Sequence, residues 1–175
     1  MIDADQGTFT FLDLVAFRLS GPYSWQNDDY NGEESKVSVF RAYEKAGDAN
    51  NRCDVASITI ADATLDPTEP DIAALQEADV PALDQLLLEG TRSQLVAEGR
   101  ELVRWMSSQL NQTDSLKGLV TAYVVGDQGV ERQNIAVRLS SKGRKVVAVG
   151  VFDIPRKDVL ASLIFGVMRG MVVLP

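Results

Sequence analysis

Residues 117–171 read KGLVTAYVVGDQGVERQNIAVRLSSKGRKVVAVGVFDIPRKDVLASLIFGVMRGM. This stretch decides the fold. Leu119, Thr121, Tyr123 and Val125 alternate with Val120, Ala122 and Val124, a period of two in β-branched and aromatic residues that makes a strand apolar on both faces. Gly126-Asp127-Gln128-Gly129 breaks it with turn chemistry. Ile135, Val137 and Leu139 then point one way. Gln133, Asn134, Ala136 and Arg138 form a more polar set, so the second strand is expected to be half-solvated. Ser140-Ser141-Lys142-Gly143 supplies a second turn, and Lys145 to Phe152 is a third strand, rich in valine on both faces and expected to be central. Connections this short require an antiparallel meander, because a parallel crossover needs roughly a dozen residues.

Pro155 suits the first turn of a helix, where its missing N–H is not needed, and Asp158 lies near the positive end of the helix dipole. Val159, Leu160, Leu163, Ile164, Val167 and Met168 form one apolar stripe at helical spacing. The stripe needs a sheet to cover it, and the meander lies immediately upstream.

Composition narrows the function classes. The 175 residues are 45% hydrophobic, enough for one core, and the chain is expected to be one α+β domain over 1–175. No apolar run is long enough to span a bilayer; the best, Val159 to Leu174, is interrupted by Arg169. The acidic N-terminus lacks a leader pattern, so the chain as written is read as cytoplasmic, and as periplasmic if a signal peptide was trimmed. Cys53 is the single cysteine and histidine is absent. This removes imidazole catalysis and thiolate or histidine metal sites, and the residues call for no cofactor and no metal. Net charge is −8, split as −11 over residues 1–80 and +3 over residues 81–175. Such a chain repels nucleic acid and anionic membranes and suits a basic protein partner.

Upstream of the meander, Phe9-Thr10-Phe11 opens a strand within residues 8–19, bent near Asp13. Tyr23 and Trp25 follow in a turn and are expected to join the core. Residues 26–35 read as a polar loop. Asn27, Asp29, Asn31 and Gly32 fall at the first, third, fifth and sixth positions of a calcium loop, but Ser38 stands where the bidentate glutamate belongs, so a solvated hairpin loop is preferred. A strand from Val37 is expected to pair with the first strand, and Asp54 to Ala61 forms another, with Cys53 at its edge as a small buried hydrophobe. Asp62 to Asp79 is acidic, with a short helix expected near Asp71 to Ala78. Pro81 starts a longer helix with Leu83, Leu86, Leu87 and Leu95, which Gly90 either kinks or divides. Its carboxylates, Asp84, Glu89 and Glu98, are taken as its wet face. Residues 102–110 suit either a helix or a strand; a strand is preferred because the meander gains a neighbour.

The aromatic opening Phe9-x-Phe11 leading to Gly21-Pro22-x-x-Trp25, the strand Val55 to Ala61 before a helical region, and Leu119-x-x-x-Tyr123 followed by a turn, a strand, Gly143 and a Val-rich strand together resemble the Mog1/PsbP-like fold. The resemblance implies an α+β domain with a mostly antiparallel sheet, an N-terminal strand set, a middle helical segment, the meander and a C-terminal helix packed on the sheet. It also implies a binding or accessory module. Mog1 proteins bind a small GTPase, PsbP proteins assist photosystem II, and bacterial relatives include chaperones for secretion effectors. No partner or site residue carries over.

Two candidate surfaces emerge for a non-enzymatic bacterial adaptor, secretion-effector chaperone or immunity-type inhibitor. Asp28, Asp29, Glu33 and Glu34, with the Asp62 to Asp79 region, would face a basic partner. Arg132, Arg138, Lys142, Arg144 and Lys145 are read mainly as the wet face of a hairpin, with an anion or acidic-peptide site as the functional alternative and Arg138 its most rigid member. The rival function, a carboxylate-based hydrolase, needs two carboxyls converging across a cleft, and the 25 acids offer no way to choose a pair.

Overall fold

The computed structural model describes residues 8–11, 15–19, 24–32, 35–43, 54–112 and 117–174. In chain order they form β1 (Thr8–Phe11), β2 (Val15–Arg18), β3 (Ser24–Gly32), β4 (Ser35–Tyr43), β5 (Asp54–Asp62), α1 (Val80–Ala97), β6 (Glu101–Gln112), β7 (Lys117–Asp127), β8 (Val130–Ser141), β9 (Arg144–Asp153), α2 (Lys157–Arg169) and β10 (Val172–Val173). The expected α+β architecture is present. Seven strands make one antiparallel sheet in the order β3-β4-β5-β9-β8-β7-β6, and β1-β2-β10 make a second, smaller one. The meander is β7-β8-β9. Its two turns place Gln128 and Gly129, then Lys142 and Gly143, at positive φ, the left-handed pairs that two-residue hairpins require. No helix among the described residues is long and apolar enough to cross a membrane.

One side of the large sheet is a dry core. Ile58 and Ile60 of β5, Ile135, Val137 and Leu139 of β8, and Val146, Ala148 and Phe152 of β9 all face it and are buried. Leu160, Ile164, Val167 and Met168 of α2 complete it, as the apolar stripe implied, while Leu163 is only partly buried. The helix crosses β9 at Gly150, where an added Cβ would lie 2.3 Å from Ile164 Cγ2. Glycine is therefore needed there for close approach, not for turning. The small sheet seals the same core through Val15, Phe17 and Val173, with Phe17 meeting Phe40 of β4 edge-on at 5.0 Å.

Several expectations need correction. β1 and β2 are two strands that pair antiparallel with each other, with Phe11 opposite Val15, and β4 pairs with β3 and β5 instead; the expected bend near Asp13 lies outside the described residues. Residues 26–32 are strand, not loop; only residues 33–34 separate β3 from β4. Asn27, Asp29 and Asn31 lie along that extended ladder and do not curl around an ion. Residues 71–78 hold turns and the start of a 3₁₀ turn, Glu77–Asp79, because local aspartates cap their own backbone there. Gly90 does not divide α1, which runs unbroken from Val80 to Ala97, and Leu86 is 67% exposed. Residues 101–112 are strand, as preferred, pairing with β7. Trp25 joins the core; Tyr23 and Cys53 lie outside the described residues.

Ile164→Ala should lower stability by ~2–5 kcal/mol, from lost burial and the cavity left behind, and Leu163→Ala by less. Gly150→Ala should be destabilising alone but far less so in the Ile164→Ala background, because the obstructing methyl is gone. Thermal melts of the two single variants and the double variant measure this, and additive effects would contradict the close approach.

Candidate functional site

The opposite face of the large sheet is only partly covered. α1 packs over β6, and residues 63–79 run as a strap across the ends of β7, β8 and β9. Between them lies a cleft of about 480 Å³, floored by Thr59, Asn134, Ala136, Arg138, Val147, Val149 and Val151 and walled by Glu69, Thr91, Gln94, Leu95, Arg100, Trp105 and Tyr123.

Sequence chemistry explains how the walls are held. The strap is tied down at its start by the Ala63 N–H to Lys145 O (2.9 Å) and by Lys145 Nζ donating to the carbonyls of Asp66 and Glu69 (3.1 and 2.7 Å). Further along, the Ile72 N–H donates to the buried Ser140 Oγ at 2.9 Å, and Lys117 Nζ reaches the Leu75 carbonyl. The aspartates of this acidic run serve its turns. Asp62, Asp66 and Asp71 each accept from the backbone N–H two residues on, and Asp79 accepts from Gln76. The hydrogen bonds from Thr68 hold the Asp66 carboxyl below its usual value.

α1 is held by a polar contact. Asp84, expected on the wet face, is 7% exposed and accepts from Trp105 Nε1 (3.1 Å) and from the Ser108 N–H (2.7 Å). The β6-β7 register skips Ser107 and Ser108, so Ser108 has no ladder partner and its N–H serves Asp84 instead. The Ser108 and Thr121 hydroxyls, 2.7 Å apart, pair beneath it. Trp105 is thereby fixed and stacks on its cross-strand neighbour Tyr123, ring centroids 5.5 Å apart.

Arg138 lies on the cleft floor, beside the strap. Its Nε sits 2.7 Å from Glu69 Oε1, with side chains 13% and 14% exposed. The contact is close but misaligned, because neither atom makes a properly directed hydrogen bond. Burial pushes the Glu69 carboxyl above its usual 4.5, and the charge of Arg138 offsets that only in part. Burial likewise raises the Tyr123 hydroxyl, opposed by the nearby guanidiniums of Arg138 and Arg100. Arg100 is also held by Glu98 from a more exposed position.

The polar face of β8 is not wet: Asn134, Ala136 and Ser140 are buried, and the strap reaches Ser140 through the Ile72 N–H. The basic residues do not form one patch. Arg132 is exposed and pairs with Asp153 at 3.4 Å; six residues along the strand, at roughly 3.3 Å each, separate it from Arg138. Arg144 begins β9 at the far turn. Asp28 and Asp29 lie on β3, at one edge of the large sheet, opposite Val39 and Ser38; Glu33 and Glu34 lie outside the described residues. Sequence reasoning missed Glu69 as the partner of Arg138 and the stacking of Trp105 on Tyr123. The signal was the two aromatics at alternating strand positions, which needed the β6-β7 register to meet. The cleft lining contains one carboxylate, so the pair a hydrolase would need does not converge here.

No family model and no curated protein matches the sequence. Among solved structures, the chain is similar to cyanobacterial PsbP (CyanoP) from Synechocystis sp. PCC 6803, with a TM-score of 0.65 and 18% identity over 97% of this chain and 93% of that one. A protein from Bacteroides thetaiotaomicron VPI-5482 superposes with a TM-score of 0.50 and 9% identity over 93% of this chain and 46% of the other. LpqN of Mycobacterium tuberculosis, involved in cell envelope biogenesis, gives a TM-score of 0.48 and 11% identity over 98% and 91% of the two chains. The fold is Mog1/PsbP-like, as the sequence resemblance implied.

Two outcomes follow from the walls of the cleft. Asp84→Leu should cost about 1–3 kcal/mol by stranding two donors, read as a lower melting temperature and a displaced Trp105 indole N–H resonance. Carbon-13 titration should place the Glu69 carboxyl above 4.5, and Arg138→Gln should raise it further by removing the opposing cation. Because the folded state holds this proton more tightly than the unfolded chain, the stability contributed by Glu69 is full below the unfolded value. It is lost as pH rises through the folded one.

Proposed function

We propose that residues 1–175 form one Mog1/PsbP-like domain that acts as a non-enzymatic accessory module binding a partner protein through the open side of its large sheet. The observation that carries this reading is the half-covered face itself. On β5 and β9, Thr59, Val147, Val149 and Val151 remain half-exposed, while the reverse face of the same strands is buried under α2. β-branched residues left accessible on a rigid, seven-stranded floor suit contact with another protein.

The partner has a basic surface. The chain carries a net charge of −8, and β3, at one edge of this sheet, bears Asp28 and Asp29. The similarity to CyanoP supports an accessory role through fold alone. Adaptor, secretion-effector chaperone and immunity-type inhibitor are the forms the role would take in a bacterium, with the periplasm the compartment if a leader was removed.

The test is capture of partner by the immobilised chain as salt is raised, with Asp28→Lys/Asp29→Lys and Thr59→Arg variants shown by melting to be folded. Recovery should fall with ionic strength and with each variant. Capture indifferent to salt and to both variants would overturn the reading.

A further inference from the structure

A second cavity lies on the α2 side of the large sheet, where β7 begins and β8 ends. Its volume, about 430 Å³, falls within the range of ~300–1,000 Å³ usual for small-molecule pockets. The strand register builds its floor. Gly118 stands between Asn111 and Leu139, and Val120 between Gln109 and Val137, so two successive rungs of β6, β7 and β8 present one face to α2. Gly118 leaves its rung without a side chain at the middle strand, and an added Cβ there would lie 2.9 Å from Leu139 Cδ2. Phe165 and Arg169, one turn apart on the same flank of α2, form the wall together with Met168 and Met171. Val120 and Phe165 pack on the core yet remain only partly buried, so the cavity keeps accessible apolar surface. Arg169 is the one charged residue of the lining, and it is exposed. The end of a helix favours a cation, but no carboxylate among the described residues pairs with this one.

We propose that this cavity binds a single-chain amphiphile with a carboxylate head, of the fatty-acid class. The chain lies over Gly118 and Val120, against Phe165 and Met168. The carboxylate meets the guanidinium of Arg169 at the rim, where the planar fork of donors matches its two oxygens. Charge selects the head: in a chain of net charge −8, an anion is drawn only where a cation is left without an internal partner, and Arg169 is such a cation among the described residues. The lining suits a flexible tail, because the unbranched thioethers of Met168 and Met171 adapt to the shape of an occupant. The site lies on the face of the sheet opposite the one proposed for the partner protein and does not depend on that reading.

Decanoate is the probe, with decyltrimethylammonium as the same tail under the opposite charge. Each is titrated, below the concentration at which it forms micelles, into the chain labelled at its methionine methyl carbons and indole nitrogens. The Met168 and Met171 methyl resonances should shift saturably with decanoate, while the Trp105 indole N–H, held by Asp84 on the opposite face, stays in place. Decyltrimethylammonium should bind about three- to fivefold more weakly or worse, the scale of one exposed ion pair. Octanoate should bind roughly tenfold more weakly than decanoate, the effect of two methylenes withdrawn from an apolar lining. Arg169→Glu, at an exposed position, should reverse the preference between the two charges. Val120→Phe, which fills the floor, should weaken both by tenfold or more in chain shown by melting to be folded. Equal binding of the two charges, an unchanged order in Arg169→Glu, or no saturable methionine shift would each overturn the proposal. The comparisons of charge and tail length need no variant. All these titrations use the chain alone, so their failure leaves the partner reading standing, and loss of partner capture leaves this one standing.

Discussion

Ile164 of α2 rests on Gly150 of β9, with no room for a Cβ between them, and this close approach sets the architecture. β9 lies in the interior of the large sheet, between β5 and β8. A helix seated directly on it also meets β5 and β2, and Leu160, Val167 and Met168 join the same buried core. With one face closed in this way, the other face of β9 becomes the floor of the cleft. The alternation of β9 carries both outcomes: Val146 and Ala148 are buried under the helix, while Val147, Val149 and Val151 are left half-covered.

The two helices are held by different physics. α2 is an apolar stripe on an apolar sheet, and its position follows from area and shape. α1 buries little beyond Leu95 and Asp84. It is located by a carboxylate that satisfies an indole and a backbone N–H freed by an irregularity in the β6 ladder. A polar anchor of this kind fixes position with little contact area, which is why α1 can stand over β6 without closing the cleft.

The strap uses polar chemistry in a similar way. Its aspartates spend their acceptors on its own turns, and lysines from β7 and β9 hold its carbonyls. The acidity of residues 62–79 is thereby largely local structure. Glu69 is the member turned inward to Arg138, and Glu77 stays exposed.

The sequence by itself determined the meander, its two turns, the C-terminal helix and the absence of imidazole and disulfide chemistry. Period-two and helical spacing, turn residues and composition are local properties and need no partner to be legible. It also carried enough pattern to suggest the Mog1/PsbP-like topology. Only the tertiary structure decided which polar residues are buried. Asp84 looked like any carboxylate on a wet helix face, and Arg138 like a solvated hairpin cation, because burial depends on what packs opposite. The elements opposite them lie far along the chain: Trp105 and Ser108 for Asp84, Glu69 for Arg138. The division of residues 8–43 between two sheets was hidden for the same reason. A strand's alternation records that it has an inside and an outside, and the choice of neighbour is made by long-range packing.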